Sequence, residues 1–372
     1  MTLSELTASS TRLALVGLAK NTGKTETLTA LLRELEAQGR CVGVTSVGRD
    51  GEERDAIDPR IEKPRVRLPA GSLVATTDAL LRAGAIEHER LEDTGIRTPL
   101  GRVLIARLRD AGTIEVAGPS AAADVRAVSD AMLARGAGQV LIDGAVDRRA
   151  ASSPEVCDGL VMATGAVLGH SLAEVVAQTV DAVELARLPS VDRASEIGRR
   201  LWALADGGPT LARDGRASQL VSERGDPVPL PRSFILTAGT EQLAQLLDAN
   251  PHAGWLLVAG ALPDSFLRNL LHPLRHRQRE LVLVVSDPTK VFMWKRGPSW
   301  YERQGVRMLT LGQTQLRALT VNPVAPQSHR FDSAELRAGL AASIPDLAIF
   351  DVLDPAYRAA GAGSPRGAEP AR

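Results

Sequence analysis

Residues 13–16, 41–47, 66–68, 113–116, 140–142 and 160–163 are short apolar runs, each of a length that suits a buried strand. Between them lie longer stretches in which apolar positions recur at helical spacing, over 25–38, 73–83, 100–111, 121–134 and 171–188. In the first of these, Leu28, Leu31, Leu32 and Leu35 fall on one helical face. Strand and helix in alternation predict a parallel sheet covered by helices, an α/β fold. Turn residues then crowd between 206 and 232, with Gly207-Gly208-Pro209, Asp214-Gly215 and Gly225-Asp226-Pro227, and mark a boundary. Beyond it, strand-length runs resume at 234–237, 255–259, 281–285 and 308–311, followed by apolar runs at 316–321 and 347–352. The expected organisation is a first domain over 1–207, a second α/β domain over 208–355 and a small, polar tail over 356–372 without fixed structure.

Composition narrows this picture. Aromatic residues make up only 3% of a chain that is 44% hydrophobic, so the cores must be built from Ala, Leu and Val, which suits helix-covered sheets better than a sandwich. Acidic and basic residues balance at 44 each, leaving no overall field to draw the chain to nucleic acid or to an anionic membrane. Two cysteines, Cys41 and Cys157, are too few for a disulfide framework and are not spaced as a metal knuckle. With no basic-then-apolar start and no run approaching a membrane span, a cytoplasmic location is expected.

Residues 16–25 read V-G-L-A-K-N-T-G-K-T, between the first strand run and the first helical stretch. Strand, glycine-bounded loop and helix in that order make a phosphate cradle, where backbone N–H groups and a helix N-terminus point at an anion. Gly17, Ala19, Lys20, Asn21, Thr22, Gly23, Lys24, Thr25 and Glu26 are its candidate lining, with Lys24 placed for the outer phosphates and the Thr25 hydroxyl for Mg²⁺. The chain holds five lysines among 44 Lys plus Arg, and two of the five, Lys20 and Lys24, stand in this loop. A compact ammonium is a different tool from a guanidinium fork, so lysine here is not a default basic choice. Lys20 would add a second positive charge over the phosphates during phosphoryl transfer, within one chain or across a homodimer. The expected cofactors are ATP and Mg²⁺.

Asp143 closes the run 140–142, which puts its carboxylate at the sheet edge facing the loop, where it would hold the metal beside phosphate oxygens. Asp50 is the second candidate metal ligand, in the glycine-punctuated segment T-S-V-G-R-D-G-E-E over 45–53. Lys20, Lys24 and Asp143 are the candidate catalytic groups, while Asp147 reads as a surface turn residue. Farther on, W-K-R-G-P-S-W-Y over 294–301 concentrates aromatic and basic residues, either as a binding surface or, favoured here, as a loop packed on the sheet. His272 and His276 stand at i, i+4 spacing, but Pro273 interrupts them and no acidic partner motif adjoins, so they read as a solvated face rather than a metal site.

Gly17 and Gly23 are separated by five residues, one more than in the commonest phosphate loop. That spacing resembles dethiobiotin synthetase and its relatives. L-I-D-G-A over 141–145 resembles the strand of that group ending in an acidic residue, and G-L-V-M-A-T-G-A-V-L-G over 159–169 is similar to its next strand and turn. Where those enzymes carry a lysine for carboxylation at the end of the second strand, this chain has Thr45-Ser46, which argues against the ligase reaction. A wider resemblance rests on A-K-N-T-G-K-T, S-V-G-R-D-G-E, the P-R-V-R-L-P-A-G-S-L-V-A-T-T stretch over 64–77, L-I-D-G-A-V-D-R-R and L-T-V-N-P-V-A-P over 319–326. In these the chain resembles the small reactivase subunits that accompany adenosylcobalamin-dependent lysine 5,6-aminomutase. The resemblance implies a P-loop NTPase sheet and a factor that uses nucleotide binding, with slow ATP turnover, to help exchange inactivated cobalamin for intact coenzyme. It also implies two partners, an ATPase subunit of the reactivase and the mutase itself. The alternatives are a small-molecule ligase or kinase of the dethiobiotin-synthetase type and a nucleotide-sensing module with negligible turnover.

Overall fold

A computed structural model of the chain describes residues 1–47, 65–144, 149–205, 217–222, 226–326 and 329–361. Two compact units share the chain, one formed by 1–176 with 315–372 and the other by 177–314. The chain begins with α1 (Leu3–Leu6), β1 (Arg12–Gly17), α2 (Lys24–Ala37), β2 (Val42–Ser46), β3 (Val66–Leu68), β4 (Leu73–Thr77) and α3 (Asp78–Ala83). It continues through β5 (His88–Thr98), β6 (Gly101–Leu108), β7 (Gly112–Ile114), α4 (Ala122–Ala134), β8 (Gln139–Gly144), β9 (Gly159–Gly165) and α5 (Leu172–Ala186), within which the division falls. The second unit then holds α6 (Glu196–Leu204), β10 (Gln219–Ser222), β11 (Pro227–Pro229), α7 (Phe234–Thr237), α8 (Thr240–Ala249), β12 (Ala253–Leu257) and β13 (Leu262–Pro263). Next come α9 (Asp264–Arg277), β14 (Leu281–Val285), β15 (Val291–Phe292), α10 (Pro298–Glu302) and β16 (Val306–Thr310). Finally β17 (Gln315–Asn322), α11 (Ser333–Ser343), β18 (Ala348–Phe350) and α12 (Pro355–Gly361) return to the first unit.

The first unit is built on a nine-stranded sheet in the order β18-β17-β9-β1-β8-β2-β4-β6-β5. Its strands from β18 to β4 run parallel, and β6 and β5 extend it as an antiparallel pair. Leu28, Leu31, Leu32 and Leu35 of α2 are all buried against Leu13 and Leu15 of β1, Val42 and Val44 of β2 and Leu141 of β8. Because strand side chains alternate between faces, the intervening residues meet the other layer. There α4 approaches so closely that a Cβ on Gly43 would lie 3.2 Å from the Met132 sulfur. The second unit carries a five-stranded sheet, β11-β10-β12-β14-β16, in which β12, β14 and β16 are parallel. One of its faces packs residues such as Leu256, Leu283 and Met308 with Phe266 and Leu270 of α9, and the other packs Leu257, Val284 and Leu309 with Leu201 and Trp202 of α6.

The chain is therefore α/β, as the alternation predicts, but its division is different. No boundary falls at 207/208; the units part at 176/177 and rejoin at 314/315. The apolar runs expected at the end of a second domain are β17 and β18, which pair in parallel with β9 and with each other. Of the turn-rich stretch between 206 and 232, the described residues include β10 and β11, an antiparallel pair in the second sheet. The expected tail also begins too early, since Pro355–Gly361 is helix α12. Its Tyr357 hydroxyl donates to Glu34 Oε1 of α2 at 2.5 Å, and Glu34 Oε2 accepts the Ser4 N–H of α1 at 2.8 Å, so α1 and α12 both fasten to one buried carboxylate.

Several elements also depart from expectation. The stretch 100–111 is not a helix but contains β6, hairpinned to β5. Residues 73–83 divide into β4 and the short α3, and 234–237 is a helical turn, α7, rather than a strand. Val103 through Ala106 are buried on both faces of the sheet, so β6 has no polar–apolar alternation to distinguish it from a helix. Both cysteines are thiols, Cys157 buried and Cys41 partly so.

Candidate functional site

β1 ends at Gly17 in the middle of the sheet, with β8 on one side and β9 on the other. Because these strands are parallel with β2 and β17, the ends at Gly17, Gly144, Ser46, Gly165 and Asn322 share one edge. The chain leaves β1 toward β2 on one side and places β9 on the other, and ligands of open parallel sheets bind where strand order reverses in this way.

The segment from Gly17 to Lys24 is held in a tight loop at that point. The Leu18 N–H donates to the Ala163 carbonyl of β9 at 2.9 Å, and the Thr22 hydroxyl donates to the Ala19 carbonyl at 2.9 Å. A Cβ on Gly17 would stand 2.6 Å from that hydroxyl, so the turn closes only around glycine. Asn21 at φ 65° and Gly23 at φ 86° both take left-handed backbone, which Asn tolerates and glycine adopts freely. Gly23 caps α2 without a side chain, so no capping oxygen occupies the first N–H groups of a 14-residue helix.

Lys24, the first residue of α2, reaches across to β8, where its Nζ donates to Asp143 Oδ1 at 2.5 Å. Both side chains are partly buried, 20% and 28% exposed. Asp143 sits in register with Leu15 of β1 and Ser46 of β2, and its carbonyl accepts the Val47 N–H at 3.0 Å. The structure thus brings together two of the three candidate catalytic groups. Lys20 and Asn21 are exposed on the loop, Thr25 is partly buried at the start of α2, and Glu26 is exposed in its first turn. Asp50 and Asp147 lie outside the described residues.

Three further contributions come from distant parts of the chain. Asn322, at the end of β17, donates its amide to the Asn21 carbonyl at 2.8 Å and accepts the Val324 N–H at 3.1 Å. Its Cβ would lie 3.1 Å from a Cβ on Gly23. One turn into α2, the Thr27 hydroxyl meets that of Thr320 of β17 at 2.7 Å. On the other side, Ser46 Oγ accepts the Gly118 N–H at 2.9 Å, and the Thr45 hydroxyl donates to the Ala75 carbonyl at 3.2 Å. Thr45 and Ser46 are both buried and engaged in backbone bonds, so the position where a carboxylating lysine would stand is filled. Nothing local in the sequence marks Asn322 as a neighbour of the loop or Gly118 as a neighbour of Ser46, since Asn322 is 301 residues from Asn21 and Gly118 is 72 from Ser46.

No protein-family model, no curated protein and no solved structure matches the chain. The chemistry of the site rests on its own geometry.

The remaining candidates lie in the second unit. Of the 294–301 cluster, Tyr301 is core and Trp294 is 71% exposed, so packing and surface each account for part of it. The Tyr301 hydroxyl and the Trp294 N–H both donate to Asp264 Oδ1 at 3.0 Å. Burial, reinforced by that carboxylate, pushes the Tyr301 phenol well above its ordinary value. His272 and His276 stack with ring centroids 6.4 Å apart on α9, which runs through Pro273. Among the described residues, no three His, Cys, Asp or Glu side chains gather as a metal group, and no helix is long and apolar enough to cross a membrane.

Proposed function

We propose that the chain is a P-loop protein that binds a magnesium–nucleotide over residues 17–25 and acts as a reactivation factor for an adenosylcobalamin-dependent aminomutase. The observation that carries the first half is the Lys24–Asp143 pair at the junction of loop, helix and acidic strand. An ammonium at a helix N-terminus and a carboxylate at the adjoining strand end are the two charges that a phosphate and its cation need. The glycines support the same reading, because a Cβ on Gly17 would meet the Thr22 hydroxyl and one on Gly23 would meet Asn322, so the loop closes tightly at the start of α2 only with glycine at both places. Strand order supports it as well, with the acidic strand β8 directly beside the loop strand β1.

In this reading Lys24 and the loop N–H groups hold the phosphates, while Thr25 and Asp143 hold the cation. Bound magnesium would supply neutralisation of charge developing on the transferred phosphoryl group. Lys20, exposed on the same loop, would add to that neutralisation. The buried Thr45 and Ser46 weigh against a carboxylating ligase. Reactivation rests on the motif resemblance, and the second α/β unit supports it by offering a surface that a small-molecule transferase does not require.

Calorimetry with ATP and ADP in the presence of Mg²⁺ tests the site. Lys24→Ala removes a charge-assisted contact worth roughly 1.5–3 kcal/mol, so affinity should fall about tenfold or more. Unchanged affinity in a folded variant removes the assignment. Reactivation is tested by adding fresh adenosylcobalamin and Mg-ATP to suicide-inactivated mutase and the partner subunit, with and without this chain. Activity should return only in its presence. Failure of the complete mixture, or rapid carboxylation of a diamine by the chain alone, moves the function to the ligase alternative.

A further inference from the structure

The ammonium that would meet the phosphates already has a partner. Lys24 Nζ and Asp143 Oδ1 are 2.5 Å apart, with most of each side chain withdrawn from water, so this contact is screened less than a surface ion pair. Neither group sits on a swinging element. Lys24 starts a helix whose first turn is tied to β17 through Thr27 and Thr320, and Asp143 lies within a strand paired on both sides.

We propose that Asp143 is a specificity-determining residue that competes with incoming phosphates for Lys24 and thereby makes the site accept nucleotide only together with its divalent cation. The inference rests on the preceding reading that this loop takes nucleotide phosphates. A bare polyphosphate that captures Lys24 leaves Asp143 without its cation and beside new negative charge, an arrangement of like charges that opposes binding. A nucleotide arriving with a divalent cation provides a new partner for each group: Lys24 passes to phosphate and Asp143 to the metal. A cation arriving alone meets a carboxylate already neutralised by Lys24. Each ligand therefore removes the obstacle to the other, and the coupling must be equal in both directions.

The test is calorimetry of ADP in EDTA, of ADP with Mg²⁺ and of Mn²⁺ alone, on the full chain and on Asp143→Asn and Lys24→Met. The wild-type chain should bind ADP at least about tenfold more tightly with Mg²⁺ than without, within the usual range of coupling between two ligands. Asp143→Asn, having lost the competitor, should bind metal-free ADP more tightly than wild type and gain little from Mg²⁺. Lys24→Met should lose ADP yet bind Mn²⁺ alone more tightly than wild type, because Asp143 is released. Circular dichroism and melting establish that the variants fold, and the Lys24→Met arm stands if Asp143→Asn does not. Wild-type binding of ADP that is indifferent to Mg²⁺, metal-free ADP affinity unchanged or weakened by Asp143→Asn, or Mn²⁺ affinity not raised by Lys24→Met overturns the competition while leaving the nucleotide site in place. Absence of ADP binding to the wild type under either condition overturns the nucleotide reading itself.

Discussion

Gly17 shows how far one residue is constrained by its loop. A methyl group there would sit 2.6 Å from the hydroxyl of the buried Thr22, which holds the Ala19 carbonyl. Gly17→Ala should therefore cost about 1–3 kcal/mol as the turn opens, an overpacking effect. Thermal denaturation should register the loss and calorimetry a parallel weakening of nucleotide binding; a variant as stable as wild type contradicts the closed turn. Tyr357 is constrained electrically instead. Burial first, then its hydrogen bond to Glu34, raises its phenol well above the ordinary 10.0. With the folded value raised, the contribution to stability is complete below pH 10.0 and is lost as pH climbs through the folded value, because the unfolded phenol ionises first. Tyr357→Phe should flatten that alkaline decline. Ultraviolet titration should show no phenolate near pH 10 in the folded chain, whose only two tyrosines are both raised. The loop residues are legible in sequence because their requirements are local, namely glycine where a Cβ collides and lysine at a helix start.

Among elements, α2 is the one that sequence describes best. Its four leucines recur at the helical period and all four are buried, since one face of a solvent-flanked helix must be apolar and nothing else need be. The boundary between β4 and α3 is illegible for the opposite reason. Val74 and Ala75 are apolar on both faces of an interior strand, and Leu81 continues the apolar character into the helix, so the period gives no break at Thr77. α12 is also misjudged by composition. Its small residues suggest a tail, yet Tyr357 anchors it to Glu34, and the same carboxylate accepts the Ser4 N–H of α1. Removing the phenol hydroxyl leaves Glu34 Oε1 in a buried place without that donor. Tyr357→Phe should accordingly cost about 1–3 kcal/mol at neutral pH, read by urea denaturation, and an unchanged midpoint would mean that α12 contributes nothing to α2.

For the whole molecule, the decisive fact is that the sheet carrying the loop is completed by β17, which the chain supplies only after the whole of 177–314. Ala318, Leu319 and Val321 of that strand are buried, and Asn322 holds Asn21 of the loop. A chain ended after Thr314 keeps the entire loop motif and Asp143 but leaves β9 without a partner on one side. It should bind no nucleotide by calorimetry and show lost protection of β9 amides in hydrogen exchange; retention of wild-type affinity would refute the dependence on β17. The turn-rich stretch misleads about domains because turn chemistry reports where a chain bends, while membership of a unit depends on which strands pair. Sequence alone determines the α/β class, the strand–loop–helix over β1, Gly17–Gly23 and α2, the buried face of α2 and the place of Asp143 at a strand end. Each follows from periodicity or steric demand among residues a few positions apart. Tertiary structure alone decides the order β17-β9-β1-β8-β2, the return of the chain after its second unit, the clamp of Asn322 and the pairing of Lys24 with Asp143. Interior parallel strands are apolar on both faces and interchangeable in pattern, so their neighbours are chosen by how the complete set of segments packs.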